Sequence, residues 1–221
     1  RSKNISLKCL SVHIGSQILD HKPYEKMLNV IDKIIVKTKH NFEFIDLGGG
    51  MGISYGDNKK KLNYKKYNFA IKKFLKKHST KIIFEPGRSI VGNIGFLISK
   101  VIYIKENDQK DFVILDAAMN DLMRPALYGA NHKTLPSIKT NQKSKKIYEF
   151  VGPICERTDK FALLKNFQKL NEKDIIMMCD VGAYGMSLSS NYNVRPKPAE
   201  LLIEGSKIRV IKKRQKHKDL M

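Results

Sequence analysis

An α/β segment followed by a mostly β half is the fold class this 221-residue sequence predicts. Two observations carry it. In the first ninety or so residues, three short apolar runs alternate with two stretches of helical periodicity, and each run ends in glycine or polar residues. That rhythm belongs to βα units and argues for a parallel sheet or barrel segment. Beyond about Ile94 the apolar spacing shifts toward the two-residue period of strands.

The first run, Leu7–Ile14, stops at Gly15-Ser16. Asp20-His21-Lys22-Pro23 then reads as a helix start, with proline in the first turn. From Tyr24 to about Lys39, Met27, Val30, Ile31, Ile34 and Ile35 recur at helical spacing, with lysines between them. Phe42–Leu47 is a second strand closed by Gly48-Gly49-Gly50. Tyr64–His78 is a second amphipathic helix, its apolar side made by Tyr67, Ile71, Phe74 and Leu75. Lys81–Phe84 is a third strand running into Glu85-Pro86-Gly87-Arg88.

In the second half, strands are expected over Gly95–Glu106, Asp111–Leu115, Lys146–Val151 and Asp174–Cys179. Ala199–Glu204 and Lys207–Lys212 flank Gly205-Ser206 as a hairpin. Short helices are expected near Met119–Tyr128 and Lys160–Leu170, and Lys212–Lys218 as a frayed basic tail. The domain boundary falls between residues 94 and 95, giving units 1–94 and 95–221.

The formal net charge is +21, with 42 Lys and Arg against 21 Asp and Glu. Only seven of those 42 are arginine, and the lysine pairs are scattered along the whole length. A nucleic-acid reader would gather arginine on one element, and no zinc-finger, RNP or basic-zipper pattern occurs. We therefore expect no nucleic-acid function. No apolar run approaches the roughly 18 residues of a spanning helix, and no membrane partner is expected. Cys9, Cys155 and Cys179 show no CxxC spacing, so a reducing cytoplasm is the expected setting and no metal site is foreseen.

Chemistry-bearing residues gather at the ends of the three early strands. His13-Ile14-Gly15-Ser16-Gln17 brings a ring and a hydroxyl. Gly48–Gly50 can bring backbone N–H groups close to an anion, or make a plain turn. Glu85-Pro86-Gly87-Arg88 sets a carboxylate and a guanidinium three residues apart, facing one ligand or forming a surface ion pair. In the β half, Arg124 and Tyr128 lie four apart, on one face if helical. Gly152-Pro153-Ile154-Cys155-Glu156 places a thiol beside a carboxylate, which suits a proton donor next to a charge-recognition group, or a small buried hydrophobe. Asp180-Val181-Gly182-Ala183-Tyr184-Gly185 frames a tyrosine with glycines.

In this order, His-x-Gly-Ser-Gln, Asp-x-Gly-Gly-Gly, Glu-Pro-Gly-Arg, Met-Arg-Pro-Ala-Leu-Tyr, Gly-Pro-x-Cys-Glu and Asp-x-Gly-Ala-Tyr resemble the fold-type III pyridoxal-phosphate decarboxylases. Within them the chain resembles the diaminopimelate-decarboxylating branch, from about Leu10 to Glu204. The resemblance implies the last three units of a (β/α)8 TIM-type barrel, followed by a mostly β C-terminal domain. It implies pyridoxal 5'-phosphate as cofactor and decarboxylation of meso-2,6-diaminopimelate to L-lysine, the last step of lysine biosynthesis. His13 would stack on the pyridine face, and Glu85 would pair with the pyridine nitrogen. Ser16, Gly48, Gly49, Gly50 and the Pro86-Gly87-Arg88 segment would hold the phosphate. Arg88, Arg124 and Tyr128 would grip the distal carboxylate, and Glu156 the distal ammonium. Tyr184 would touch both cofactor and substrate, and Cys155 would return a proton to Cα. A homodimer follows, with Cys155 and its neighbour serving the other subunit's site.

Two departures stand out. Arg157 follows Glu156 where the family commonly has serine, which puts a cation beside the ammonium-binding carboxylate. The Lys-Ala-Asn that carries the cofactor lysine is absent, and with no initiator Met this leads us to expect a C-terminal part of a longer chain, inactive alone. The alternatives are another basic amino-acid decarboxylase, acting on ornithine, lysine or arginine, or a non-catalytic partner subunit.

Overall fold

The computed structural model describes residues 4–56 and 58–221, and it falls into two compact units, one ending at Asn93 and one beginning at Ile94. The first unit is built on a parallel sheet ordered β1 (Cys9–Ser11), β2 (Phe44–Asp46) and β3 (Lys81–Ile83). Helix α1 (Lys22–Thr38) links β1 to β2, and α2 (Tyr64–Leu75) links β2 to β3.

Pro23 opens α1 in its first turn, and the Asp20 carboxylate accepts the Lys22 N–H just ahead of it. Asn63 caps α2 by accepting the Lys66 N–H at 3.0 Å. Burying Tyr24, Met27, Leu28 and Ile31 on α1 against Ile45, Leu47, Tyr67, Ile71 and Phe74 makes the core of this unit. Each such side chain contributes about 1.5–3 kcal/mol on leaving water. Tyr24 and Tyr67 stack with ring centroids 4.3 Å apart, tying the two helices together.

In the second unit, β4 (Leu97–Lys105), β5 (Lys110–Leu115), β6 (Thr134–Pro136), β7 (Ile147–Val151), β8 (Lys160–Leu164) and β9 (Ile175–Met178) form one sheet. Its order is β6-β9-β4-β5-β7-β8, antiparallel throughout except for the β5–β7 pair. Strict alternation along β5 buries Asp111, Val113 and Leu115 on one face. Val101, Phe150, Phe161, Ile176 and Met178 complete that core. The hairpin of β10 (Glu200–Glu204) and β11 (Lys207–Lys212) turns at Gly205, whose φ of +60° suits glycine.

Three expectations are corrected. Lys160–Leu170 is not helical: its first five residues are β8, paired with β7, and Asn166 at φ +55° turns the chain afterwards. The helix near Met119–Tyr128 shrinks to α4 (Arg124–Tyr128), because Asp121 folds back to accept the Ala118 N–H and Pro125 then opens the helix. The basic tail is tied down. Gln215 donates its N–H to Lys197 and accepts from Asn191 through its side chain, and a 3₁₀ turn follows at His217–Asp219.

Candidate active site

Because β1, β2 and β3 run parallel, the segments after them emerge at one edge of their sheet. Backbone hydrogen bonds continue the register past the strands: Val12 N–H donates to Asp46, Leu47 to Ile83, and Glu85 to Gly48, all within 2.9–3.0 Å. His13, the glycine triplet and Glu85-Pro86-Gly87-Arg88 are thereby gathered.

The triplet must be glycine for steric reasons. A Cβ on Gly49 would lie 2.3 Å from the Glu85 carbonyl oxygen, and one on Gly50 2.3 Å from that of Gly15. A Cβ on Gly48 would meet the Val12 carbonyl at 2.6 Å and His13 Nδ1 at 2.9 Å. The three loops are thus packed backbone against backbone, so closely that no side chain fits between them. Tyr24 Oη donates to the Gly49 carbonyl at 3.2 Å, and burial pushes this phenol up to about 12. Asp46, buried at the end of β2, accepts from Gly48 N–H at 2.8 Å and Ser11 Oγ at 3.0 Å.

Arg88 opens the short helix α3 (Arg88–Val91) and is half-buried. Its guanidinium donates to Ser16 Oγ at 3.1 Å and to Tyr55 Oη at 2.5 Å. It also lies over the Tyr55 ring, 5.5 Å from the centroid. A hydroxyl and a guanidinium therefore sit beside the glycine triplet, a donor set matched to a phosphate. His13, Ser16 and Glu85 are exposed.

In the second unit, Cys155 and Glu156 occupy the loop between β7 and β8, and both are exposed. The reading of Cys155 as a buried hydrophobe is therefore wrong. Asp159, only 2% exposed, shapes this loop. Its carboxylate accepts Ile154 N–H at 2.8 Å and Met119 N–H at 2.7 Å, so it ties the loop to the segment leading into α4. Gly152 makes room for it, since a Cβ there would come within 2.2 Å of the carboxylate. Burial pushes the Asp159 carboxyl up, against the pull of those two N–H groups. Burial raises Asp121 as well. Arg195 lies beside Asp121 and anchors to Asn120 Oδ1 at 3.0 Å.

Glu156 accepts a hydrogen bond from Tyr192 Oη at 3.2 Å, which in turn raises the Tyr192 phenol. Arg124 and Tyr128 do not share an environment. Arg124 is 5% exposed, its Nη1 2.9 Å from His132 Nε2, whereas Tyr128 is 66% exposed. Tyr184 is exposed, with φ +58°. Cys179 is buried and Cys9 exposed. Among the residues the motifs did not single out, Tyr55, His132, Asp159 and Tyr192 each contact one that they did. The Asp of Asp-x-Gly-Gly-Gly was the one signal in sequence for Asp46.

A family model described as pyridoxal-dependent decarboxylase, C-terminal sheet domain, matches residues 17–182. The chain belongs to this family. Among curated members, the diaminopimelate decarboxylase of Zymomonas mobilis is 42% identical over 225 residues, covering 99% of this chain and 52% of that protein. That of Aquifex aeolicus is 38% identical over 219 residues, covering 97% and 52%. The crystal structure of diaminopimelate decarboxylase from Helicobacter pylori complexed with L-lysine superposes with a TM-score of 0.85 at 40% identity, covering 96% of this chain and 53% of that one. The chain spans about half the length of the curated relatives it matches. Among the described residues, no helix is long and apolar enough to cross a membrane.

Proposed function

We propose that the protein decarboxylates meso-2,6-diaminopimelate to L-lysine with pyridoxal 5'-phosphate, in the cytoplasm. The observation that carries this reading is agreement along nearly the whole chain with diaminopimelate decarboxylases, joined to a strand-end edge whose donors suit a phosphate. We infer that β1–β3 with α1 and α2 are successive units of a (β/α)8 barrel. An open three-stranded parallel sheet leaves two edges that a closed barrel would pair.

The residues present fit the cofactor. Backbone N–H groups of Gly48, Gly49 and Gly50 would hold the phosphate, with Ser16, Gly87 and Arg88 as further donors and Pro86 stiffening the turn. His13 would lie against the cofactor ring, its imidazole seated where glycine at 48 leaves room for it. Glu85 would pair with the pyridine nitrogen and favour its protonated form. When bound, the cofactor supplies the electron sink that loss of carbon dioxide from an α-carbon requires.

Arg124 grips the distal carboxylate, a task suited to bidentate arginine, with Tyr128 at the other end of α4 beside it. Glu156, oriented by Tyr192, takes the distal ammonium, and Tyr184 borders cofactor and substrate. Cys155, exposed on its loop, returns the proton to Cα. That exposure suits a homodimer in which the Cys155–Glu156 loop serves the partner copy.

The test offers the natural protein meso-diaminopimelate and ornithine separately, with pyridoxal phosphate. Carbon dioxide and L-lysine from the first are expected. Release from ornithine alone would assign another basic amino-acid decarboxylase, and release from neither would point to a non-catalytic subunit.

A further inference from the structure

We propose that His132 is a positioning residue that sets the guanidinium of Arg124 for the substrate's distal carboxylate; this rests on the reading of Arg124 given above. His132 is 2% exposed and lies eight residues beyond Arg124, past the Gly129 turn that ends α4. Its two ring nitrogens are used in opposite senses. Nδ1 is 2.9 Å from the Cys179 carbonyl oxygen, which only accepts, so Nδ1 carries the proton. Nε2 is 2.9 Å from Arg124 Nη1, which only donates, so Nε2 accepts. The contacts assign one neutral tautomer.

That tautomer has a chemical consequence. A carboxylate at this place would orient the guanidinium but cancel much of the charge meant for the ligand. A neutral imidazole fixes the plane and leaves the charge in place. The ring itself is held by the sheet. Cys179 directly follows β9 and donates its own N–H to the Lys133 carbonyl at 2.8 Å, so both of its backbone polar groups hold the His132–Lys133 segment. The same carbonyl leads into Asp180–Tyr184, so His132 joins the arginine to the segment that carries Tyr184.

The two amide replacements separate these contacts. A glutamine oxygen reaches the place of Nε2 and can accept from Arg124, while an asparagine amide reaches only the place of Nδ1 and can donate to Cys179. His132→Gln, His132→Asn and His132→Ala are compared in the natural protein loaded with pyridoxal phosphate, by kcat and KM for meso-diaminopimelate and by melting temperature. His132→Asn and His132→Gln each lose one of the two buried contacts and are expected to melt alike, a few degrees below the parent, yet only His132→Asn is expected to raise KM by on the order of tenfold with kcat nearly kept, as for lost uniform binding. His132→Gln is expected to restore KM to within a fewfold of the parent. An unchanged KM in His132→Asn overturns the proposal, as do equal losses in Asn and Gln variants that track melting, or failure of both to fold. A parent inactive on meso-diaminopimelate overturns the functional reading itself, which separates the two failures.

Discussion

Asp159→Asn perturbs the loop that carries Cys155 and Glu156 without changing its volume. The native carboxylate accepts Ile154 N–H at 2.8 Å and Met119 N–H at 2.7 Å from a site that is 2% exposed. Asparagine has one oxygen, so its amide group must face one of those two donors. Losing a hydrogen bond to a charged group costs about 1.5–3 kcal/mol, and the stranded N–H adds to that. Removing a buried charge offsets part of the loss, leaving about 2 kcal/mol. At about 2–4 °C per kcal/mol for chains of this size, melting should fall by about 4–8 °C. The pH dependence has a definite sign. The folded carboxyl sits above its ordinary value, chiefly through burial, so on acidification the native state takes up the proton before the unfolded chain does. The parent therefore gains stability from this group as pH falls through the raised folded value toward about 4, and the variant does not. Calorimetry from neutral pH down to about pH 4 should show the gap widening. Equal melting temperatures, or a gap that narrows toward acid, would show that the Asp159 carboxylate does not hold this loop.

Gly49→Ala should separate the ends of β2 and β3, because the added methyl would lie 2.3 Å from the Glu85 carbonyl. A cost of about 1–3 kcal/mol is expected, with weaker uptake of pyridoxal phosphate by fluorescence titration. Gly87→Ala meets open space and should stay within about 0.5 kcal/mol of the parent in urea unfolding. Glu149 is buried, but hydrogen bonds from Lys110 and Lys160 outweigh that burial and hold its carboxyl below the ordinary range. Its contribution is present above the ordinary carboxylate range and is lost as pH falls through the folded value. Glu149→Gln should therefore destabilise by about 1–2 kcal/mol near pH 7 and converge with the parent in acid. Tyr192→Phe removes the hydrogen bond to Glu156 and should raise KM for meso-diaminopimelate about fivefold, by roughly 1 kcal/mol.

Periodicity was enough to read α1 and α2, because lysines and apolar residues alternate cleanly there and Pro23 and Asn63 mark the starts. It failed at Lys160–Leu170, where Phe161, Leu163 and Leu164 fit either period and pairing with β7 decided for strand. The ends of the three early strands were readable because glycine and charged residues cluster there. The supports beneath them were not. His132 meets Arg124 and Cys179, and Asp159 meets Met119, through contacts up to 47 residues apart that only the folded sheet creates. Arg124 and Tyr128 show the same limit from the other side. Their spacing places them together on a helix, yet Arg124 at the start of α4 is buried against His132 while Tyr128 at its end is exposed.

Direct competition tests the central claim most plainly. The natural protein, loaded with pyridoxal phosphate, is given equal concentrations of meso-diaminopimelate and ornithine, each carboxyl-labelled with a different carbon isotope, and the released carbon dioxide is analysed. The label is expected almost wholly from diaminopimelate, matched mole for mole by L-lysine. Label from ornithine, matched by putrescine, would contradict the claim.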